Sequence, residues 1–182
     1  SIANVLMAVC DSRDQVFVPA PYWVSYPSQV EIAGGIPVIL PTDESTDFRI
    51  TAEQLEAAIK ASTTPKALIL CSASNPTGSV YTREELKKIG DVCVKYNIII
   101  ISDEIYEELI FGDAEHVSIA SLSPELKELT VVINGVSKAY AMTGWRLGYA
   151  AGNEEIIRRA GRIQEHTTSN VCSISQKASL AA

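Results

Sequence analysis

Short apolar runs rich in β-branched residues alternate with longer stretches in which apolar residues recur every three or four positions. The short runs predict buried strands at Gln15–Pro19, Pro37–Leu40, Lys66–Cys71, Tyr96–Ser102 and Leu129–Ile133. The longer stretches predict helices at Ser1–Cys10, Val24–Ala33, Thr51–Ser62, Thr82–Tyr96 and Asn153–His166. This alternation is typical of an α/β fold with a mostly parallel mixed sheet flanked by helices.

Two helix starts and one further strand add detail to this prediction. Thr82 precedes Glu85 by three positions, and Thr51 precedes Gln54 in the same way, as in a capping box. Arg146–Ala151 predicts another strand, but it follows the preceding strand too closely for a helical crossover. We therefore expect this strand to lie antiparallel to its neighbour or in a different register.

Four residues with useful chemistry each follow a different predicted strand. They are Trp23, Asn75, Asp103 and Lys138, and we expect Gly135 to break the strand before Lys138. In open α/β sheets the carboxyl ends of the strands form the edge at which ligands bind. Alone, a lysine is usually a surface residue, an aspartate can cap a helix and an asparagine can form a turn. Four such residues at one edge favour a shared site.

These residue types suit the chemistry of a bound pyridine aldehyde. A pyridine aldehyde needs an amine to form a Schiff base and a carboxylate to keep its ring nitrogen protonated. Lys138 and Asp103 would fill these roles. Trp23 would stack on the ring, while Asn75 and Tyr106 would form hydrogen bonds with its phenolic oxygen.

Four motifs occur in order along the chain, at Pro21–Pro27, Ser74–Tyr81, Ser102–Glu107 and Ser137–Tyr149. They are similar to motifs of the class I, fold-type I, pyridoxal-phosphate-dependent aminotransferases, and most closely resemble the aspartate and prephenate branch. The resemblance implies that residues 1–182 are a fragment of the cofactor-binding large domain, truncated at both ends.

The same resemblance implies a role for each site residue. Lys138 would form the Schiff base and move protons, Asp103 would pair with the pyridinium, and Tyr106 would contact the phenolic oxygen. Trp23 and Asn75 would bind the cofactor and also help to form the substrate side.

Arg146 would hold the phosphate through a charge-assisted contact. Many relatives carry a phosphate-binding serine three positions before the lysine, whereas this chain has Gly135 there, so Ser137 is expected to supply the hydroxyl. The resemblance also implies cis peptide bonds before Pro21 and Pro76.

The implied activity is ping-pong transamination between an acidic amino acid, aspartate or glutamate, and a 2-oxo acid, with pyridoxal 5′-phosphate as cofactor and a homodimer as the full-length enzyme. Two alternatives stay open. One is a related enzyme that acts on prephenate, aromatic or other amino acids. The other is a non-catalytic, cofactor-binding regulatory module.

Composition narrows the range of partners. The net charge of −7 argues against nucleic acid, and no apolar stretch is long enough to span a membrane. The four cysteines lack Cys-x-x-Cys spacing, and His116 and His166 lie far apart, so no metal site is predicted. Because the chain opens inside helix-like sequence, we leave a cytoplasmic and an organellar location both open.

Overall fold

A single six-stranded sheet organises residues 1–182 in the computed structural model. Its strands are β1 Gln15–Ala20, β2 Ile36–Pro41, β3 Pro65–Cys71, β4 Ile99–Asp103, β5 Thr130–Gly135 and β6 Gly148–Ala151. The spatial order is β2-β1-β3-β4-β5-β6, and every neighbouring pair is parallel except the antiparallel pair β5 and β6. The predicted α/β class, the mostly parallel sheet and the antiparallel last strand are therefore confirmed.

Seven helices accompany the sheet. They are α1 Ile2–Val9, α2 Ser25–Ile32, α3 Ala52–Ala61, α4 Arg83–Tyr96, α5 Pro124–Leu129, α6 Glu154–Thr167 and α7 Ser173–Ala181. Residues of α1, α2 and α6 pack on one face of the sheet, and residues of α3, α4 and α5 pack on the other. None of the helices combines the length and the apolar composition that crossing a bilayer requires.

Burial on both faces explains the continuous apolar runs. In β3, Leu68 and Leu70 join the cluster that contains α3, α4 and α5, while Ala67 and Ile69 join the cluster on the opposite face. Successive side chains of a strand point to opposite faces, so a sheet covered twice needs apolar residues at every position.

Helix α4 ends at Tyr96, as predicted, whereas strand β4 differs from its predicted bounds. Asn97 caps the helix in a left-handed conformation with φ 54°. The strand starts only at Ile99 and extends through Asp103. The apolar run Tyr96–Ser102 thus includes a helix end, because the left-handed cap turns the chain before the strand begins.

The two capping signals behave differently. Thr82 and Glu85 form the complete reciprocal box at the start of α4. Thr51 accepts a hydrogen bond from the backbone N–H of Gln54, but the Gln54 side chain donates to the Pro41 carbonyl instead of turning back. The second box is therefore only half formed.

Gly135 does not break β5, contrary to the expectation from sequence. It is the last residue of the strand and pairs with Gly148 of β6. A Cβ atom at Gly135 would lie 2.8 Å from the Leu147 carbonyl oxygen, closer than real Cβ contacts. Glycine is needed here because the two backbones approach closely.

Helix α5 was not predicted. Ser123 caps it by accepting a hydrogen bond from the Leu126 N–H, and Pro124 occupies its first turn. These are ordinary start signals, but six residues are too few to show a helical period.

Candidate active site

A pocket of about 510 Å³ opens at the carboxyl edge of the sheet. This volume lies within the range of small-molecule sites. The pocket is lined by all seven residues that the sequence singled out, namely Trp23, Asn75, Asp103, Tyr106, Ser137, Lys138 and Arg146. The structure therefore brings the predicted set together, while the role of each residue stays a prediction.

Asp103 forms the buried wall of this pocket and is only 6% exposed. The Tyr26 hydroxyl donates to Asp103 Oδ2 over 2.6 Å, and the Ile105 N–H donates to Oδ1 over 3.3 Å. Burial raises the pKa of Asp103, and the hydrogen bond from Tyr26 acts in the opposite direction. Burial also raises the pKa of Tyr26, so its hydroxyl stays a donor.

The sequence did not reveal the part played by Tyr26. This residue lies in the first turn of α2, is 2% exposed and lines the pocket. Its ring also meets Trp23 edge to face, with centroids 5.5 Å apart. A buried tyrosine needs a partner for its hydroxyl, which is the only signal that could have pointed to a polar neighbour.

Asn75 and Tyr106 lie next to each other at the ends of neighbouring strands. The Asn75 Nδ2 atom is 3.5 Å from the Tyr106 hydroxyl oxygen. The peptide bonds Ala20–Pro21 and Asn75–Pro76 are cis, as predicted, and Ser72–Ala73 is a further cis bond that was not predicted.

Two cationic side chains also line the pocket. The Lys138 ammonium lies 5.6 Å from the centroid of the Tyr106 ring. Arg146 is exposed, has a left-handed φ of 54°, and donates from Nη1 to the Thr143 carbonyl over 2.8 Å. Neither cation has a carboxylate partner, since every ion pair of the chain involves other residues.

The pocket thus carries a buried carboxylate that forms no ion pair and two cationic side chains that form none either. A ligand that carries both a protonated ring nitrogen and a phosphate would provide partners for both kinds of charge. Lys138 also supplies an amine, and the pocket lining adds aromatic faces and hydroxyl and amide groups. The residues present therefore fit pyridoxal phosphate.

A largely parallel sheet with a charged pocket at its carboxyl edge defines an α/β protein with a small-molecule site. The family described as aminotransferase class I and II matches residues 1–182. The chain therefore belongs to this family.

Individual relatives agree with this assignment. The chain is 53% identical, over its whole length, to an aspartate aminotransferase of Geobacillus stearothermophilus, of which it covers 46%. It is 49% identical to a bifunctional aspartate aminotransferase and glutamate/aspartate-prephenate aminotransferase of Petunia hybrida, covering 38% of that protein and 100% of itself.

A solved structure, the aspartate aminotransferase of Rhizobium meliloti, superimposes with a TM-score of 0.95 at 41% identity, over 99% of this chain and 45% of that one. The chain thus spans somewhat under half the length of the relatives that it matches.

Proposed function

We propose that the protein containing this chain is a pyridoxal-phosphate-dependent aminotransferase, and that residues 1–182 form part of its cofactor-binding large domain. The observation that carries the proposal is that one pocket holds charges of both signs without ion-pair partners. Asp103 is buried and forms no ion pair, and Lys138 and Arg146 form none either.

The cofactor, when bound, supplies an electron sink that stabilises negative charge at the substrate α carbon. Asp103 would keep a proton on the ring nitrogen, and Tyr26 would hold the carboxylate in place through its hydrogen bond. Asn75 and Tyr106, which are adjacent, would hydrogen-bond the phenolic oxygen. Trp23 would pack against the ring face and narrow the substrate side of the pocket.

Lys138 would hold the cofactor covalently through Nζ in the resting protein and would carry the proton to and from the substrate once Nζ is released. Arg146 would bind the phosphate, and Ser137 would add a hydroxyl donor next to it. Because the chain itself carries a net charge of −7, this local pair of cations is what would attract the anionic cofactor.

The proposed substrates are an acidic amino acid and a 2-oxo acid, exchanged in a ping-pong cycle. The names of the Geobacillus and Petunia relatives support this class, and the Petunia name also supports prephenate as an acceptor. Prephenate amination is therefore the second candidate. We further propose a homodimer as the working form of the complete protein.

The test is an absorbance spectrum of the complete polypeptide with added pyridoxal phosphate, compared with Lys138→Ala. We expect the band of the lysine-linked cofactor in the parent and its loss in the variant. Lys88→Ala is a matched control, because Lys88 is exposed on α4 and lies outside the pocket. A band that survives in Lys138→Ala would remove this residue from its role. Turnover with aspartate, glutamate and prephenate would then separate the two substrate candidates.

A further inference from the structure

A carboxylate–imidazole pair, with a buried Glu104 and a partly buried His116, adjoins the candidate active site in the chain. Glu104 follows Asp103 in the chain but does not line the pocket, and it is only 3% exposed. Its Oε1 atom accepts hydrogen bonds from the hydroxyls of Ser102, over 2.9 Å, and Ser118, over 2.7 Å. Its Oε2 atom lies 3.1 Å from His116 Nε2. The partners come from β4 and from the loop that follows, so one carboxylate joins these two segments.

Both members of the pair favour their charged forms. The hydrogen bond with Glu104 raises the pKa of His116 above its ordinary 6.5, although burial opposes this, and the charges of Glu107 and Glu108 add to the rise. Burial pushes the pKa of Glu104 upward, but the bonds from His116, Ser118 and Ser102 outweigh it and hold the pKa below its ordinary 4.5.

Tyr149 of β6 is a further titratable group near this cluster, and burial and the charge of Glu107 raise its pKa. Its hydroxyl therefore stays neutral over the range in which a histidine titrates.

The cluster is better described as an ion pair than as a metal site. Ligand atoms of Glu104, Glu107 and His116 lie within 4.8 Å of one another, close enough to surround a cation. However, both carboxylate oxygens of Glu104 already have hydrogen-bond partners, and Glu107 Oε1 accepts from the Asn134 amide. A cation would have to displace these partners.

The backbone around Glu104 connects the pair to the pocket. The Glu104 N–H donates to the Ile133 carbonyl of β5 over 2.9 Å, and the Glu107 N–H donates to the Glu104 carbonyl over 3.0 Å. The turn closed by the second bond contains Tyr106, and Asp103 immediately precedes it. Movement of Glu104 would therefore be transmitted to both residues.

We propose that the Glu104–His116 pair is a latch that positions Asp103 and Tyr106, and that it weakens when His116 loses its positive charge and keeps only an uncharged hydrogen bond to Glu104. Glu104 and His116 are positioning residues, because neither lines the pocket. The effect of the latch on cofactor binding rests on the proposed function, whereas the latch itself does not.

The pH range in which the Glu104–His116 pair is strongest follows from the two pKa shifts. The pKa of His116 is raised on folding, so its contribution is complete below pH 6.5 and is lost as the pH rises through the higher folded value. The pKa of Glu104 is lowered, so its contribution is present above 4.5 and is lost as the pH falls through the lower folded value. The latch is strongest between these limits.

The first measurement is an NMR titration of the His116 imidazole in the complete polypeptide without cofactor. The resonance is assigned by its loss in His116→Gln. We expect a midpoint above 6.5 in the parent and a clearly lower midpoint in Glu104→Gln. Glu108→Gln is the matched control, because Glu108 is exposed and acts on His116 only through space. A parent midpoint at or below 6.5, or one that Glu104→Gln leaves unchanged, would overturn the proposal.

The second measurement, amide hydrogen exchange, reports on the backbone turn that positions Tyr106. After correction for intrinsic exchange, the amide of Glu107 should exchange about fivefold faster above the His116 midpoint than below it, from the loss of about 1 kcal/mol of hydrogen-bond stabilisation. This step should be absent from His116→Gln, which also serves if Glu104→Gln does not fold. A step of equal size in His116→Gln, or none in the parent, would rule out a latch.

Cofactor affinity then connects the latch to the site. In the parent, the Kd for pyridoxal phosphate should rise about fivefold across the same titration, and in His116→Gln it should not. A chain that shows the exchange step but never binds the cofactor would refute the proposed function and leave the latch standing. A chain that binds the cofactor but shows no His116-dependent step in exchange or affinity would refute the latch and leave the proposed function standing.

Discussion

The carboxylate wall of the pocket, formed by Asp103, and the cationic wall, formed by Lys138 and Arg146, are built in different ways. Asp103 is buried and accepts hydrogen bonds from Tyr26 and Ile105, and the Glu104–His116 pair adjoins it in the chain. On the other wall, Lys138 is only partly buried and Arg146 is exposed. Here the two cationic side chains form no ion pair, and the only hydrogen bond of Arg146 is to a nearby carbonyl.

This difference indicates which part of the site the chain organises by itself. The carboxylate wall is held by contacts between distant segments, so its geometry exists before a ligand arrives, as electrostatic preorganisation requires. The cationic wall has donors but no internal acceptors, so an anionic ligand would order it. We therefore expect changes in the first wall to affect chemistry, and changes in the second to affect stability or binding.

Asp103→Asn should have the largest effect on turnover. The amide keeps the size of the side chain and can still accept the Tyr26 hydroxyl, but it cannot hold a proton on the ring nitrogen by its charge. Removal of one preorganised electrostatic partner typically costs about 10²- to 10³-fold in rate. We expect that loss in single-turnover measurements, with the cofactor still bound. Asp91→Asn, on the exposed face of α4, is the control and should turn over normally.

Asp103→Asn should also stabilise the folded protein when no cofactor is bound. The folded pKa of Asp103 is raised, so the stabilisation linked to this group is complete below pH 3.8 and is lost as the pH rises through the raised value. Asparagine carries no such penalty. Denaturant unfolding at neutral pH should give Asp103→Asn a higher free energy of unfolding than the parent. A lower value would show that the carboxylate is stabilised in the empty pocket.

The residues of the cationic wall and Asp103 could be predicted from the sequence. The residues that hold Asp103 in place could not. Lys138, Asp103 and Asn75 follow apolar runs, and parallel strands bring such positions to one edge. Tyr26 contacts Asp103 across 77 positions, and a helix pattern gives no register between a residue of α2 and a particular strand end. Such contacts depend on how the helix packs against the sheet, which periodicity alone does not specify.

Gly135→Ala should have the next largest effect, on stability. The new methyl group would lie 2.8 Å from the Leu147 carbonyl oxygen, so β5 and β6 would have to separate. Overpacking of this kind costs about 1–3 kcal/mol in the free energy of unfolding. Urea denaturation of the parent and the variant measures it directly.

Gly161→Ala provides the matched control for this change. Gly161 lies inside α6, and a Cβ atom there meets nothing within 4 Å. Alanine is favoured over glycine in a helix interior, so this variant should gain up to about 1 kcal/mol. Equal effects at the two glycines would mean that the close approach of β5 and β6 does not require glycine at position 135.

Tyr26→Phe should have the smallest effect and tests whether the carboxylate wall depends on its support. The ring and its edge-to-face contact with Trp23 remain, while Asp103 loses one donor. Because that hydrogen bond opposes the rise caused by burial, the pKa of Asp103 should increase further in the variant. A typical hydrogen bond contributes about 1 kcal/mol, so the rate should fall roughly fivefold. Tyr96→Phe removes a hydroxyl that binds Glu56 on the far side of the sheet, and it should leave turnover unchanged. If both variants lose activity equally, the position of Asp103 does not depend on the Tyr26 hydroxyl.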